Sequence, residues 1–172
     1  ADASSTAADF IGTLTFTGYD SSDPDHCNAT GIPSSMAFRY YNGVKSLVLT
    51  IQSTHQVIEV FPDIDITQIN EYRASNIIAT ATCKILAGFG VDGNVNGFSN
   101  LATFSSPSSV TVAPGGDIIY VSDSGSNNQR IREIKYDPYF LEYMVDAIAG
   151  TEHSGYYDAV GLRAFFDTIE SI

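Results

Sequence analysis

An internal repeat constrains the fold of this chain more than any other feature of its sequence. One series recurs 62 positions later without a gap: Leu86-Ala87-Gly88, Gly93, Ala102, Phe104 and Ser109 return as Ile148-Ala149-Gly150, Gly155, Ala164, Phe166 and Ser171. A second series places Pro33-Ser34-Ser35-Met36 on Pro107-Ser108-Ser109-Val110, and Gln56-Val57-Ile58 on Gln129-Arg130-Ile131. Both series define one unit, which begins at Pro-Ser-Ser and ends at Ala-Gly.

Short apolar runs rich in β-branched and aromatic residues fill each unit. Most of them alternate with polar residues, and Gly, Pro, Asn or Asp separates them, which is typical of β-strands. The runs lie at residues 10–16, 36–40, 46–51, 56–61, 77–86, 109–112, 118–122, 130–136 and 143–148. Four strands per repeat predict an all-β fold of β-propeller blades, each with four antiparallel strands.

The second repeat resembles a known family. It contains Leu86-Ala87-Gly88, Asp92-Gly93, Ala102-x-Phe104, Pro107, Ile119-Tyr120-Val121-Ser122-Asp123 and Asn127-Asn128-Gln129-Arg130-Ile131-Arg132-Glu133-Ile134. Over residues 86 to 166 this pattern is similar to an NHL-repeat β-propeller. In the first repeat, Thr50 stands where Asp123 stands and Val57 where Arg130 stands. The resemblance implies a propeller fold that is incomplete within this chain, and commonly a binding role.

The repeats suggest four segments. Residues 1–32 are expected to form an N-terminal strand and a glycosylated loop, 33–88 a degenerate first blade, 89–150 a connector with an NHL-like second blade, and 151–172 the start of a third repeat. Ile172 aligns with Val110 in the first strand of a repeat. Unpaired strand edges are association sites. We therefore expect the missing strands to come from a longer chain or from neighbouring copies of this one.

Charge and hydropathy exclude several classes of protein. The formal net charge is −12 with a pI near 4.3, so there is no basic surface for nucleic acid. No apolar run approaches the roughly 20 residues that span a bilayer. Ala1-Asp2-Ala3-Ser4 lacks the basic start and hydrophobic stretch of a signal peptide and is typical of a processed N-terminus.

Two signals predict a secreted or cell-surface location. Cys27 and Cys83 are the two cysteines of the chain, and Asn28-Ala29-Thr30 is an acceptor for an N-linked glycan. We expect a Cys27–Cys83 disulfide and a glycan on Asn28. In a cytosolic protein two cysteines are more often unpaired buried thiols, and this alternative stays open.

Two polar groups are candidates for ligand or metal chemistry. Asp123, Asn127 and Arg130 follow a strand, and we expect Asp123 to close a tight turn and pair with Arg130; the alternative is a ligand site at the central channel. Asp92, Asn94 and Asn96 match the first half of a calcium loop, but Thr103 stands at the position of the bidentate carboxylate. We expect a structural loop, and no metal or cofactor.

Two functions from different classes fit these observations. The first is an extracellular glycoprotein whose blades act as a protein interaction or assembly module, such as a subunit of a surface filament or matrix. The alternative is the N-terminal part of a secreted propeller lyase or hydrolase. For the first, the partner is expected to be another copy or a continuation of this chain. Two end segments are expected to contact such a partner: residues 8–17, with Phe10, Leu14 and Phe16 on one apolar face, and residues 150–172, which carry Phe165, Phe166 and Ile169.

Overall fold

The computed structural model describes residues 14–16, 31–63, 79–125 and 128–172. These residues form two five-stranded β-sheets. The first sheet contains β1 (Leu14–Phe16), β2 (Pro33–Tyr41), β3 (Val44–Ile51), β4 (Gln56–Asp63) and β5 (Ala79–Ala87). The second contains β6 (Gly97–Phe98), β7 (Pro107–Val112), β8 (Ile118–Gly125), β9 (Asn128–Asp137) and β10 (Glu142–Thr151). Short 3₁₀ turns cover Gln52–Thr54 and Gly161–Arg163, and the described residues contain no α-helix.

Four strands of each sheet form an antiparallel meander, as the repeat predicts. The order is β5-β4-β3-β2 in the first sheet and β10-β9-β8-β7 in the second. Asn42 and Gly43 close the β2–β3 hairpin with φ of 51° and 80°, because a two-residue hairpin turn of this hand requires left-handed backbone at both positions. The all-β prediction is confirmed.

The two meanders also share their irregularities. Each has a register shift after the proline of its first strand, and another where its third strand meets its fourth. The proline Pro33 pairs with Ile51 in the first sheet, whereas Pro107 pairs with Asp123 in the second. The position of Asp123 is therefore held by Ile51, and the sequence alignment that placed Thr50 there is wrong by one residue.

Each sheet carries a fifth strand that the repeat did not predict. β6 adds to β10 through Met144 and Val145. β1 adds to β5 in parallel, with Leu14 opposite Ala79 and Phe16 opposite Ala81. Residues 14–16 thus find a backbone partner within their own chain, because the edge of β5 offers free backbone groups. Contact of the N-terminal segment with another chain stays a prediction. Residues 8–13 and 17 lie outside the described part.

The two sheets pack face to face, mainly through β2, β3 and β7. We call this interface the seam. Its core consists of side chains from both sheets and from the connector between β6 and β7: Val48, Val57, Leu86, Ala87, Ala102, Phe104, Val110, Ile119, Val121, Ile134 and Val145. The front face of each sheet is defined as the one that carries Val48 and Val57 in the first sheet and the equivalent Tyr120 and Ile131 in the second. In the seam, the front face of the first sheet meets the back face of the second.

A second apolar cluster lies on the back face of the first sheet. It contains Leu49, Ile51, Ile58, Val60, Ala81 and Cys83, all nearly inaccessible to solvent. Both faces of this sheet are therefore apolar, which is typical of a sheet that packs against other protein layers on both sides. The two described sheets do not close a ring.

Candidate functional site

The predicted turn residue Asp123 is fully buried at the seam. Its Oδ1 accepts a hydrogen bond from the Ser105 amide at 2.6 Å, and its Oδ2 accepts from Asn128 Nδ2 and from Arg132 Nη1, the latter at 2.9 Å. Ser105 belongs to the segment that leads into β7. The carboxylate thus ties the connector to the β8–β9 hairpin, since one side chain bonds to both.

The cation beside Asp123 is Arg132, so the expected pairing with Arg130 is wrong. Arg132 is fully buried. Its Nη1 also donates to the Thr103 carbonyl, and its Nη2 donates to the Val95 carbonyl and to Asn96 Oδ1, at 2.8 to 3.0 Å, whereas its Nε has no hydrogen-bond partner among the described residues. Arg130 lies at the rim and contacts Glu152 at 3.1 Å. A buried charge needs a compensating charge more than an exposed one does. Asn127 lies outside the described residues.

Burial sets the titration of this ion pair. It raises the pKa of the Asp123 carboxyl to about 7, while the positive charge of Arg132 and the Ser105 amide oppose the rise. Burial likewise lowers the pKa of Arg132, and the charge of Asp123 opposes that change. The pair is enclosed, and its groups hydrogen-bond to the protein itself. These contacts describe a structural ion pair at the seam.

The three calcium-loop candidates contact different groups. Asn96 Oδ1 accepts from Arg132, Asn94 Nδ2 lies 3.4 Å from Glu152 Oε1, and the largely exposed Asp92 carboxylate lies 3.9 Å from His55 Nδ1. A guanidinium at Asn96 disfavours a divalent cation at the same oxygen, since like charges repel. Among the described residues, no group of three or more His, Cys, Asp or Glu could hold a metal ion.

The predicted disulfide and glycan remain predictions. Cys83 lies in β5 opposite Val60, and its side chain is buried on the back face of the first sheet. Cys27 and Asn28 lie outside the described residues.

A second buried ion pair lies on the first sheet at the seam, and sequence reasoning missed it. Arg39 on β2 donates from Nη1 to Glu59 Oε1 at 3.0 Å, and it also bonds to the Gly116 carbonyl and the Tyr143 hydroxyl of the second sheet. Lys84 Nζ lies 3.1 Å from Glu59 Oε2. A single acidic residue inside the apolar run Val57-Ile58-Glu59-Val60-Phe61 was the available signal, because a lone charge in a buried strand needs a partner.

An apolar stripe on β2 is exposed. Met36, Phe38 and Tyr40 are 61%, 60% and 57% accessible, and they alternate with Ala37 and Arg39, which face the seam. The register makes Met36 the equivalent of Val110, and Phe38 the equivalent of Val112. In the second sheet those two positions pack into the seam. The stripe is therefore a seam surface without a sheet against it.

In the described ranges, no helix is both long enough and apolar enough to cross a lipid bilayer.

Comparisons with known proteins concern the fold alone. No protein-family model and no curated protein matches this chain. Two solved structures from Bacteroides thetaiotaomicron share 20% identity with it over 79% of its length. One is a structural genomics protein of unknown function, with a TM-score of 0.57; the other is an auxiliary nutrient binding protein, with a TM-score of 0.53. The chain spans 29% and 31% of their respective lengths.

Proposed function

We propose that this chain is an extracellular interaction and assembly module built from NHL-like propeller blades. The observation that carries the proposal is the exposed stripe of Met36, Phe38 and Tyr40. Apolar side chains on an edge strand with this exposure are characteristic of protein interfaces. The equivalent positions of the second sheet already show the type of surface they fit, which is the front face of another sheet of the same repeat.

The partner is accordingly a copy of this chain or a continuation of it, as in a filament or matrix subunit. Fully burying Met36 and Phe38 would contribute about 1.5 to 3 kcal/mol each. A heterologous contact of this kind closes into a ring or extends into a fibre, depending on its rotation. A binding role is also consistent with one structural neighbour, an auxiliary nutrient binding protein.

Association of the 172-residue chain tests the proposal. Light scattering over a concentration series should give masses above the monomer's 18.5 kDa. The double variant Met36→Thr/Phe38→Thr should remain monomeric. Val44→Thr is the matched control, because Val44 is 50% exposed on the same hairpin but on the opposite face. A wild-type protein that is monomeric throughout, or a double variant that associates like the wild type, would contradict the proposal.

The extracellular location rests on the predicted disulfide and glycan. A Cys27–Cys83 bridge closes a loop of about 57 residues and would stabilise the chain by roughly 4 kcal/mol in the chain-entropy model. Thiol titration of the denatured, unreduced protein should then find no free thiol. Enzymatic release of N-linked glycan should lower the mass of the native protein and convert Asn28 to Asp. Two titratable thiols together with an unmodified Asn28 would remove the basis for secretion.

The alternative function, a propeller enzyme, would need acid–base groups gathered at the strand ends. The described residues supply the enclosed Asp123–Arg132 pair there, whose hydrogen bonds go to the protein itself. No observation in the described ranges favours the enzyme over the assembly module.

A further inference from the structure

Hydrogen bonds of two serines join the first sheet to the start of the second. Ser34 Oγ donates to the Pro107 carbonyl at 2.9 Å and lies 2.9 Å from Thr50 Oγ1. The Val110 amide donates to Ser35 Oγ at 3.2 Å. The first strand of the second sheet, β7, is thereby held at residues 107 and 110 by the two serines of the preceding repeat.

The same bonds recur one repeat later, at the end of the described chain. Ser108 Oγ donates to the Ile169 carbonyl at 3.2 Å and lies 2.8 Å from Ser122 Oγ. The Ile172 amide donates to Ser109 Oγ at 3.3 Å. Residues 169–172 are therefore hydrogen-bonded to the second sheet in the same way as residues 107–110 are hydrogen-bonded to the first.

The connectors that lead to these two segments are also equivalent. The Gly93 amide donates to the Phe104 carbonyl at 3.1 Å, and the Gly155 amide donates to the Phe166 carbonyl at 3.1 Å. Each phenylalanine ring lies against the glycine that ends the preceding sheet, Gly88 or Gly150. The connector after Gly150 therefore has the same contacts as the connector after Gly88. The connector after Gly88 leads into the sheet that packs at the seam.

The two places differ in what covers them. A cleft of about 480 Å³ opens on the front face of the second sheet, between Ile131, Phe166, Ile169 and Ile172. The equivalent residues of the first seam are Val57, Phe104, Pro107 and Val110, and all four are buried. Phe104 is inaccessible, whereas Phe166 is only partly buried and Ile172 is 39% exposed. The cleft is the uncovered counterpart of the seam core.

We propose that this front face is the docking surface for a third four-stranded sheet of the same repeat, with residues 169–172 as the beginning of its first strand. The occupant belongs to the same polypeptide, because its own residues 169–172 already hold the place of the first strand. A second copy could bring its β2 there only by displacing them. The two solved neighbours agree in scale, since this chain spans less than a third of each.

This inference goes beyond the proposed function, because it assigns an occupant to the front face of the second sheet and needs no association between molecules. The stripe of a second copy would have to dock on that same front face, so both tests are run in the Met36→Thr/Phe38→Thr background, where the failure of one proposal is distinguishable from the failure of the other. Its first test uses the 172-residue chain and residue-resolved amide exchange by NMR. Ser109→Ala should speed exchange at Ile172 about three- to tenfold, the range expected for losing one hydrogen bond, and should leave Val110 unchanged. The matched variant Ser35→Ala should do the reverse. Exchange at Ile172 that is already unprotected, or insensitive to Ser109, would overturn the proposal.

A second test supplies the missing sheet. Because Ile172 occupies the Val110 position, residues 111–172 are appended once more after Ile172. Hydroxyl-radical footprinting should then show the reactivity of Phe166 falling several-fold, to the level of Phe104, while Tyr139, 85% exposed at a distant hairpin, stays reactive. Unchanged Phe166 reactivity in the extended chain would overturn the proposal. So would protection of Phe166 in the original chain that rises with concentration and mass, which would assign the face to a second copy.

Discussion

Asp123 and Ile51 occupy the same register position in two equivalent sheets, each opposite the proline that begins its sheet's first antiparallel strand. Their diagonal neighbours on the next strand are also equivalent. Arg132 lies diagonal to Asp123 in the second sheet, and Ile58 lies diagonal to Ile51 in the first. One repeat thus fills this back-face position with a buried ion pair, and the other fills it with two buried isoleucines. The chain contains both solutions to one packing problem.

Replacing the ion pair with the isoleucine pair tests their relative stability. Asp123→Ile leaves Arg132 charged and buried, so it should destabilise the protein by about 3 to 5 kcal/mol. Arg132→Ile should cost less, because Asp123 can take up a proton. The double variant should cost less than Asp123→Ile alone, although the Ser105 amide and the Thr103 carbonyl lose their partners. Urea unfolding of the four proteins measures these differences.

Arg130→Ala is the control for that comparison. The Arg130 side chain is 15% exposed and that of its partner Glu152 is 58% exposed, whereas Asp123 and Arg132 are both inaccessible. Ion pairs that reach solvent contribute about 0 to 1 kcal/mol. A double variant less stable than Asp123→Ile would show that the hydrogen bonds to the connector outweigh the desolvation of the two charges.

The pH dependence of stability should report the protonation of Asp123. Its pKa is about 7 in the folded protein, against 3.8 in the unfolded chain, so the folded state binds more protons between these values. The stability that protonated Asp123 confers is therefore greatest below about pH 4 and declines as the pH rises to about 7. Relative to Asp123→Asn, the wild type should lose roughly 2 to 4 kcal/mol across this range.

Unfolding free energies of both proteins at a series of pH values check this prediction. The variant serves as the reference for the other carboxyl groups, which titrate in both proteins. A difference that stays constant with pH, or that grows in favour of the wild type as the pH rises, would mean that Arg132 keeps Asp123 ionised.

Gly88 ends the first sheet in a conformation that only glycine tolerates there. Its φ is +108°, and an added Cβ would lie 2.6 Å from the His55 carbonyl oxygen and 3.2 Å from the Phe104 ring. Gly43 has φ of +80° but no atom within 4 Å of an added Cβ. Gly43→Ala should therefore cost about 1 kcal/mol from backbone strain, and Gly88→Ala about 3 kcal/mol because it adds the clash. Thermal or urea unfolding distinguishes them; equal losses would mean that the connector yields freely.

Sequence reasoning recovered the repeat because its anchors are chemically distinctive. The prolines, the Ser-Ser pair and the Ala-Gly ending all recur at positions where the backbone requires them, and eight of the predicted strands coincide with β2 to β5 and β7 to β10. It misplaced Asp123 because two length differences offset each other. The β2–β3 hairpin has eight residues between Phe38 and Leu47, where the β7–β8 hairpin has six between Val112 and Ile119. Four residues then lie between Ile51 and Gln56, where six lie between Asp123 and Arg130. The backbone pairing of the strands decides where a gap belongs in the alignment of the two repeats. The identity of the side chains does not reveal that pairing.

The ion pairs were harder to anticipate for a physical reason. Arg39 and Glu59 lie 20 residues apart in sequence and meet across an intervening strand, and Arg39 reaches Tyr143 only because two sheets pack together. Charges in strands indicate a partner but not its identity, since the twist of the sheet decides between the opposite and the diagonal neighbour. Arg132 rather than Arg130 is the example here.

Phe104 and Phe166 provide the last prediction, because they are the same residue of the repeat with and without a sheet above it. Phe104→Ala should destabilise the 172-residue chain by about 3 to 5 kcal/mol, the usual cost of emptying a closed core site. Phe166→Ala should cost less than about 1.5 kcal/mol, since the open cleft lets solvent reach the ring and lets the site collapse. Urea unfolding at low protein concentration measures both. Equal costs would show that Phe166 is already covered, and a concentration dependence of its cost would identify the cover as another molecule.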